Sequence, residues 1–210
     1  MKKTTIKLVK ITNSQGRTKE ISSKDLLSIQ TSKSIMNYAG TFDIIVDNTG
    51  GKNSKLCEPK DEVEIWLGYK ETEIGKVMGG FIDRVILEKS EESKETMRLQ
   101  GRSYSSVLLD SKVSGKIHYA QGYSQVLREL LKETPLKPKG ILDTEGKGTI
   151  VLRNVPLIDV VRQIAEEMVW TFEVDHDKVF HFKPVTPPKK SGITLTDKDI
   201  KSFRFVKESK

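Results

Sequence analysis

Two stretches, Thr41-Phe-Asp-Ile-Ile-Val-Asp47 and Glu62-Val-Glu-Ile-Trp-Leu-Gly-Tyr69, decide the fold class. In the first, Phe42, Ile44 and Val46 recur at period two, the spacing that puts side chains on one face of a strand. In the second, Val63, Ile65 and Leu67 alternate with Glu62, Glu64 and Trp66. Pro59-Lys-Asp61 is the turn before it, and Asn48 to Ser54 is a loop. The pattern spreads outward to Thr5–Thr12, a strand near Ile21, Lys76–Glu88 and Thr96–Gln100. Residues 29–36 read either way. The charged tip at residues 89–95 reads as a hairpin loop. About six or seven short strands at this spacing predict an antiparallel barrel or sandwich over residues 1–112.

After Gly101 the period changes. Ser103 to Leu109 has room for one or two helical turns. Tyr123, Val126, Leu127, Leu130 and Leu131 fall at i, i+3, i+4, i+7 and i+8, an amphipathic helix that Pro135 ends. Residues 138–148 read as a turn-rich connection and Thr149–Arg153 as a short strand. A second helix carries Leu157, Val160, Val161, Ile164, Ala165 and Met168, with Asn154 as its N-cap and Pro156 in its first turn. Trp170, Phe172 and Val174 alternate, Asp175 to Lys178 turns, and Val179 to Phe182 returns. Residues 113–184 therefore read as a small α+β domain: helix, strand, helix, hairpin. Residues 185–210 read as a Pro/Lys linker and a strand pair, Ile193–Leu195 and Ser202–Val206. A pair that short is not stable alone, so it packs on the preceding domains or opens a second barrel.

The 210 residues carry 36 Lys and Arg against 29 Asp and Glu, a net charge of +7, so the surface tolerates anionic partners. The lysines are interspersed with acids, and only Phe203-Arg-Phe205 resembles the aromatic and cationic interleaving of a single-strand nucleic-acid platform. No apolar run reaches the ~18 residues of a membrane span, and no secretory signal follows Met1. Cys57, the single cysteine, has no internal disulfide partner. The loop from Gly140 to Thr149 misses phosphate-loop spacing by one residue. His176 and His181, beside Asp175 and Asp177, read as a polar turn and an outward strand residue in preference to a metal site. His118 stands isolated; of the carboxylate pairs Asp61/Glu62, Glu166/Glu167 and Asp197/Asp199, none stands above background, and Glu166/Glu167 lies on the polar side of the second helix, where acids are ordinary surface. No catalytic residue, cofactor or metal is expected. Trp66 and Tyr69 read as alternating out of the Val63 face, available for packing or subunit contact.

Four segments, in order, resemble the baseplate hub proteins of contractile phage tails and related injection devices, the late-control-D-like and XkdQ-like families. They are Tyr38-Ala-Gly-Thr-Phe-Asp-Ile-Ile-Val46; Leu56-Cys-Glu-Pro-Lys-Asp-Glu-Val-Glu-Ile-Trp-Leu-Gly68, with Lys60 in place of the usual glycine; Gly79-Gly-Phe-Ile-Asp-Arg-Val85, with the glycine shifted ahead of the phenylalanine; and Gly101-Arg-Ser-Tyr-Ser-Ser-Val-Leu-Leu-Asp-Ser111. The last is the most specific. The resemblance implies a β-rich α+β protein: a tube-like barrel, a middle domain, and the start of a second barrel at residues 185–210, cut short here. It implies a structural role, a homotrimer forming a pseudo-six-fold ring that adapts a six-fold tail tube to a three-fold spike. Its partners would be the tube protein, the spike protein, and tape-measure protein or DNA passing through the lumen without sequence-specific contact. The location would be a tail-like particle assembled in a host cytoplasm, with no membrane anchor. The junction of barrel and middle domain would lie at Gly101, Arg102, Ser103 and Asp110, with Arg102 and Asp110 a buried pair. Alternatives are a nucleic-acid-binding barrel, a tail-associated cell-wall hydrolase, and a periplasmic module of a secretion channel.

Overall fold

The computed structural model describes residues 5–34, 38–69, 74–89 and 95–185. The linker and strand pair expected beyond Val185, including Phe203 and Phe205, lie outside the described residues, as does most of the charged tip at 89–95.

Among the described residues, seven strands form one antiparallel sheet: β1 (Thr5–Thr12), β2 (Thr18–Ile21), β3 (Leu26–Ser32), β4 (Thr41–Asp47), β5 (Glu62–Tyr69), β6 (Gly75–Glu88) and β7 (Thr96–Ser103). Their spatial order is β2-β1-β5-β6-β7-β4-β3. The alternation is realised: Phe42, Ile44, Val46, Val63, Ile65, Met97 and Leu99 are buried with Val9, Ile11, Ile21, Leu26, Met78 and Ile82 in one cluster. All seven strands feed that cluster, so the sheet curls around its own core. The edges confirm the curl. In a flat sheet β2 and β3 would stand about 29 Å apart, six spacings of ~4.8 Å. The chain joins them with residues 22–25 alone, a reach of at most about 18 Å. No ladder pairs β2 with β3 among the described residues, so the expected barrel is a rolled sheet open at this seam.

Strand β6 turns a corner. Its first half pairs with β5 and its second with β7, with register shifts at Ile65/Trp66 and Ile82/Arg84. Such bulges bend a strand and increase its twist, as a tightly rolled sheet requires.

The second lobe has its own core. It contains α1 (Ser106–Asp110), β8 (Lys112–Tyr119), α2 (Gly122–Leu131), β9 (Lys137–Ile141), β10 (Gly148–Pro156), α3 (Leu157–Met168), β11 (Trp170–Val174) and β12 (Val179–Pro184). Val126, Leu127, Leu131, Leu157, Val161, Phe180 and Phe182 are almost wholly buried within it. Helices α2 and α3 occupy the registers read from sequence. Two strands went unread. β8, read as a break at Ser114-Gly115, pairs with β10 as a ribbon. β9, inside the supposed connection, pairs parallel to β12 in a β11-β12-β9 sheet. β8 is interrupted by Ser114-Gly115, β9 is five residues long, and both are mostly exposed or half-buried, so neither carries a clean period-two signal. Asn154 is not the N-cap of α3: it lies in β10 at φ 52, its amide donates to Ser114 Oγ at 2.8 Å, and Pro156 precedes the helix. Tyr104 and Leu108 are buried in the second core, so packing places the change of lobe near Ser103, ahead of the residue 112 read from sequence.

Candidate functional site at the junction of the lobes

The junction begins with a glycine pair inside β6. A Cβ at Gly79 would lie 2.5 Å from the Tyr104 ring and 2.8 Å from the His176 carbonyl oxygen, and one at Gly80 would lie 2.0 Å from the Arg102 carbonyl oxygen. Glycine in a strand interior permits this close backbone approach. It lets the exit of β7 and the turn between β11 and β12 rest directly on β6. The Tyr104 amide donates to the Gly79 carbonyl at 3.1 Å. The Tyr104 ring is buried edge-on to Phe81, centroids 5.2 Å apart. Its hydroxyl donates to Glu62 at 3.3 Å. Burial, reinforced by the Glu62 charge, pushes this phenol well above its usual pKa.

Two lysines fasten the turn to the sheet. Lys178 Nζ donates to Glu62 Oε1 at 2.5 Å and lies 5.1 Å from the Tyr104 ring centroid, a cation–π distance. Lys76 Nζ donates to Glu64 and Asp177, each at 2.6 Å. Burial opposes the Lys76 charge, but hydrogen bonds to Asp177 and Glu64 outweigh it, and the ammonium pKa is raised. In return, Lys76 lowers the pKa of Asp177. Glu62 and Glu64 sit one period apart on β5, so the strand presents both carboxylates from its outward face. The stack of Tyr38 on Phe172, centroids 5.7 Å apart and 11° from parallel, adds a second contact between the lobes.

Gly101, Arg102, Ser103 and Asp110 meet at the exit of β7. A Cβ at Gly101 would lie 2.1 Å from the Phe81 carbonyl oxygen and 2.4 Å from the Phe42 ring. The Ser103 amide donates to the Gly40 carbonyl at 2.8 Å, and the Gly40 amide donates to Ser103 Oγ at 2.9 Å. Arg102 donates to Asp110 at 2.9 and 3.1 Å and to Asp83 on β6 at 2.8 and 2.9 Å. The expected burial is corrected: the Asp110 side chain is 57% exposed and that of Arg102 33%. Carboxylates on β6 and α1 bracket the guanidinium, so it spans three elements at the surface. Hydrogen bonds to Asp83 and Asp110 raise its pKa further.

Trp66 and Tyr69 do not form one surface. The Trp66 indole lies under Lys76, 5.3 Å from ammonium to ring centroid, and its Nε1 is buried with no hydrogen-bond partner among the described residues. Tyr69, at the parity of Val63 and Ile65, ends β5 and is 45% exposed, with Ile74, just ahead of β6, and Val77 on β6 also exposed. His181 is not a free outward residue: its Nε2 lies 2.9 Å from Asp175 Oδ2, and Asp175 also accepts the amides of Asp177 and Val179. No group of three or more His, Cys, Asp or Glu side chains positioned for a metal occurs among the described residues. No helix there is long and apolar enough to cross a membrane. Sequence reading missed Lys76, Lys178, Glu62, Glu64 and Asp83 as junction residues. The legible signal was the Gly79-Gly80 doublet in an otherwise β-patterned run.

Compared by sequence, the chain matches no protein-family model and no curated protein. By structure it is similar to the 43 kDa tail protein of prophage MuSo2 from Shewanella oneidensis, with 16% identity and a TM-score of 0.66; 90% of this chain aligns with 59% of that one. A tail protein from Neisseria meningitidis aligns at 16% identity and TM-score 0.58, over 85% of this chain and 51% of that one. The Francisella PdpA–VgrG complex contains a chain similar at 10% identity and TM-score 0.58, over 89% of this chain and 32% of that one. This chain thus spans between half and three-fifths of the two tail proteins' length. At these identities the likeness is one of fold: a rolled antiparallel sheet followed by a small α+β lobe, the fold found in these phage tail proteins.

Proposed function

We propose that the chain is a structural subunit of a phage-tail-like injection device, acting as its hub. The observation that carries the reading is the likeness of fold to the MuSo2 tail protein over 90% of the chain, a share that takes in parts of both lobes. The lobe junction supports it. A protein that transmits load needs its two bodies held in one orientation, and the Glu62–Lys178 and Glu64–Lys76–Asp177 contacts provide directional restraint that apolar packing alone lacks. In this reading the rolled sheet, β1 to β7, is the tube-like element, and the α+β lobe that follows it, through residue 184, decorates it. Residues 185–210 begin a second barrel, and three copies form a pseudo-six-fold ring between tube and spike. Exposed Tyr69, with Ile74 and Val77, lies at a subunit contact. The role is structural and not catalytic, and tape-measure protein or DNA passes through the lumen without sequence-specific contact. The particle is assembled in a host cytoplasm.

The test is solution mass by light scattering after size exclusion, alone and with the cognate tube and spike proteins, at low and high salt. A species near 71 kDa, three times 23.7 kDa, is the expected result in at least one of these mixtures. A 23.7 kDa species throughout, with no co-elution, refutes the hub assignment.

A further inference from the structure

A groove of about 890 Å³ runs between the end of α3, strand β11 and the segment after β3. Tyr38, Trp170 and Phe172 contribute rings to it, and Val169 and Val185 line it at 74% and 59% exposure. Along one side β11 is a sheet edge without a partner among the described residues. The two edges of that small sheet differ. β9 reads Lys137-Pro-Lys-Gly-Ile141, and lysine and proline are the devices that blunt a bare edge. β11 reads Trp170-Thr-Phe-Glu-Val174 and has neither. An unblunted edge beside an apolar groove is a template for another strand.

Val185, the last described residue before the C-terminal segment, itself lines the groove, so the following chain departs from there. The seven residues 186–192 reach at most about 25 Å, and β11 spans about 17 Å at ~3.3 Å per residue. Beyond them come Ile193-Thr-Leu195 and Ser202-Phe-Arg-Phe-Val206, alternating stretches that need a surface to pack on. A tether this short gives an effective concentration in the millimolar range, above that of a second copy at micromolar concentration. We propose that residues 193–206 of the same chain occupy this groove, with one stretch adding a strand to the free edge of β11. This holds whether or not the chain is a hub subunit. In a hub it would fix where the second barrel attaches.

The test is amide hydrogen exchange on the full 210-residue chain. The parent is compared with a Phe203→Asp, Phe205→Asp double variant and with Val169→Asp. Phe203 and Phe205 lie outside the described residues, so the α3 and β12 rates report whether the lobe stays intact in the double variant. Val169 is exposed at φ 55, a conformation that Asp tolerates, so this change should unfold no lobe. The expected result is protection of the outward β11 amides in the parent, unchanged on dilution. Exchange should be about tenfold faster in both variants, while α3 and β12 keep their rates. Equal β11 rates in parent and double variant overturn the proposal. So does parental protection that disappears on dilution, which would assign the groove to a second copy.

Discussion

Replacing Lys76 and Lys178 with methionine should uncouple the two lobes without unfolding either. Methionine keeps most of each stem and removes only the charge. The Lys76 side chain is 12% exposed between Glu64 and Asp177, whose side chains are 33% and 57% exposed, and Lys178 is 21% exposed beside Glu62. These pairs fall between fully exposed ones, worth about 0–1 kcal/mol, and buried ones, whose breaking costs about 3–5 kcal/mol. About 2 kcal/mol for each lysine follows, with the sum smaller than the parts because Glu62 and Glu64 are neighbours on β5. The chain supplies its own reporters. Trp66 sits in the sheet lobe, and Trp170 packs at 4.9 Å between ring centroids against Phe182 in the second core. Single-tryptophan variants, Trp66→Phe and Trp170→Phe, therefore follow one lobe each through urea unfolding. The parent should show coincident transitions. The double lysine variant should show them separated, with at least one midpoint lower by about 1–2 M, taking m near 1–2 kcal/mol per M for a lobe of this size. Unchanged, coincident midpoints in that variant would refute the claim that the ionic contacts couple the lobes.

Arg102→Ala should cost about 1 kcal/mol in thermal unfolding, and Arg102→Lys should not restore it, because a point charge cannot bracket Asp83 and Asp110 as a planar guanidinium does; an Ala variant that melts like the parent would count against a junction role. Burial, with Asp61 adding to it, pushes the Cys57 thiol up to about 12, so a disulfide reagent at neutral pH should label it only as fast as the sheet lobe opens; rapid labelling of the folded chain would contradict its buried position. Acid should destabilise the protein. The hydrogen bond from Arg98 lowers the pKa of Asp43, Lys76 lowers that of Asp177, and the Thr49 hydroxyl and amide, then Lys52, bring Asp47 down to about 2. Groups with depressed folded pKa values stabilise fully above the unfolded value near ~3.9, and that stabilisation is lost as pH falls through the folded values. The urea midpoint should hold from pH ~7 to ~5 and fall below pH ~4; an equal midpoint near pH 3 and pH 6 would contradict these pairings.

The chain's own alternation carried the rolled sheet. Phe42, Ile44, Val46, Val63 and Ile65 repeat at period two and end in one core, because a strand with one buried face has no other way to place them. The stripes of α2 and α3 were equally plain, since each presents apolar residues over about three turns. β8 and β9 were not legible. Their burial patterns are mostly exposed, and they become strands by pairing with β10 and β12, which lie tens of residues away. The helix start at Asn154 failed for a related reason. Capping chemistry is local, but here β10 continues through that residue to Pro156, held in the ribbon by its partner β8.

Sequence by itself determined which faces of the strands and helices are apolar, because side-chain period follows directly from backbone geometry. It also determined that Gly101 to Asp110 is a distinctive run. Tertiary structure decided what the charges do. Glu62 and Lys178 are 116 residues apart and Lys76 and Asp177 are 101 apart, so nothing local predicts their pairing. It also decided that Arg102 shares its guanidinium with Asp83 at the surface instead of pairing with Asp110 in the interior. Burial of apolar area is non-directional and can be read from composition and period. An ion pair depends on the distance between two side chains, and only the folded chain sets that distance.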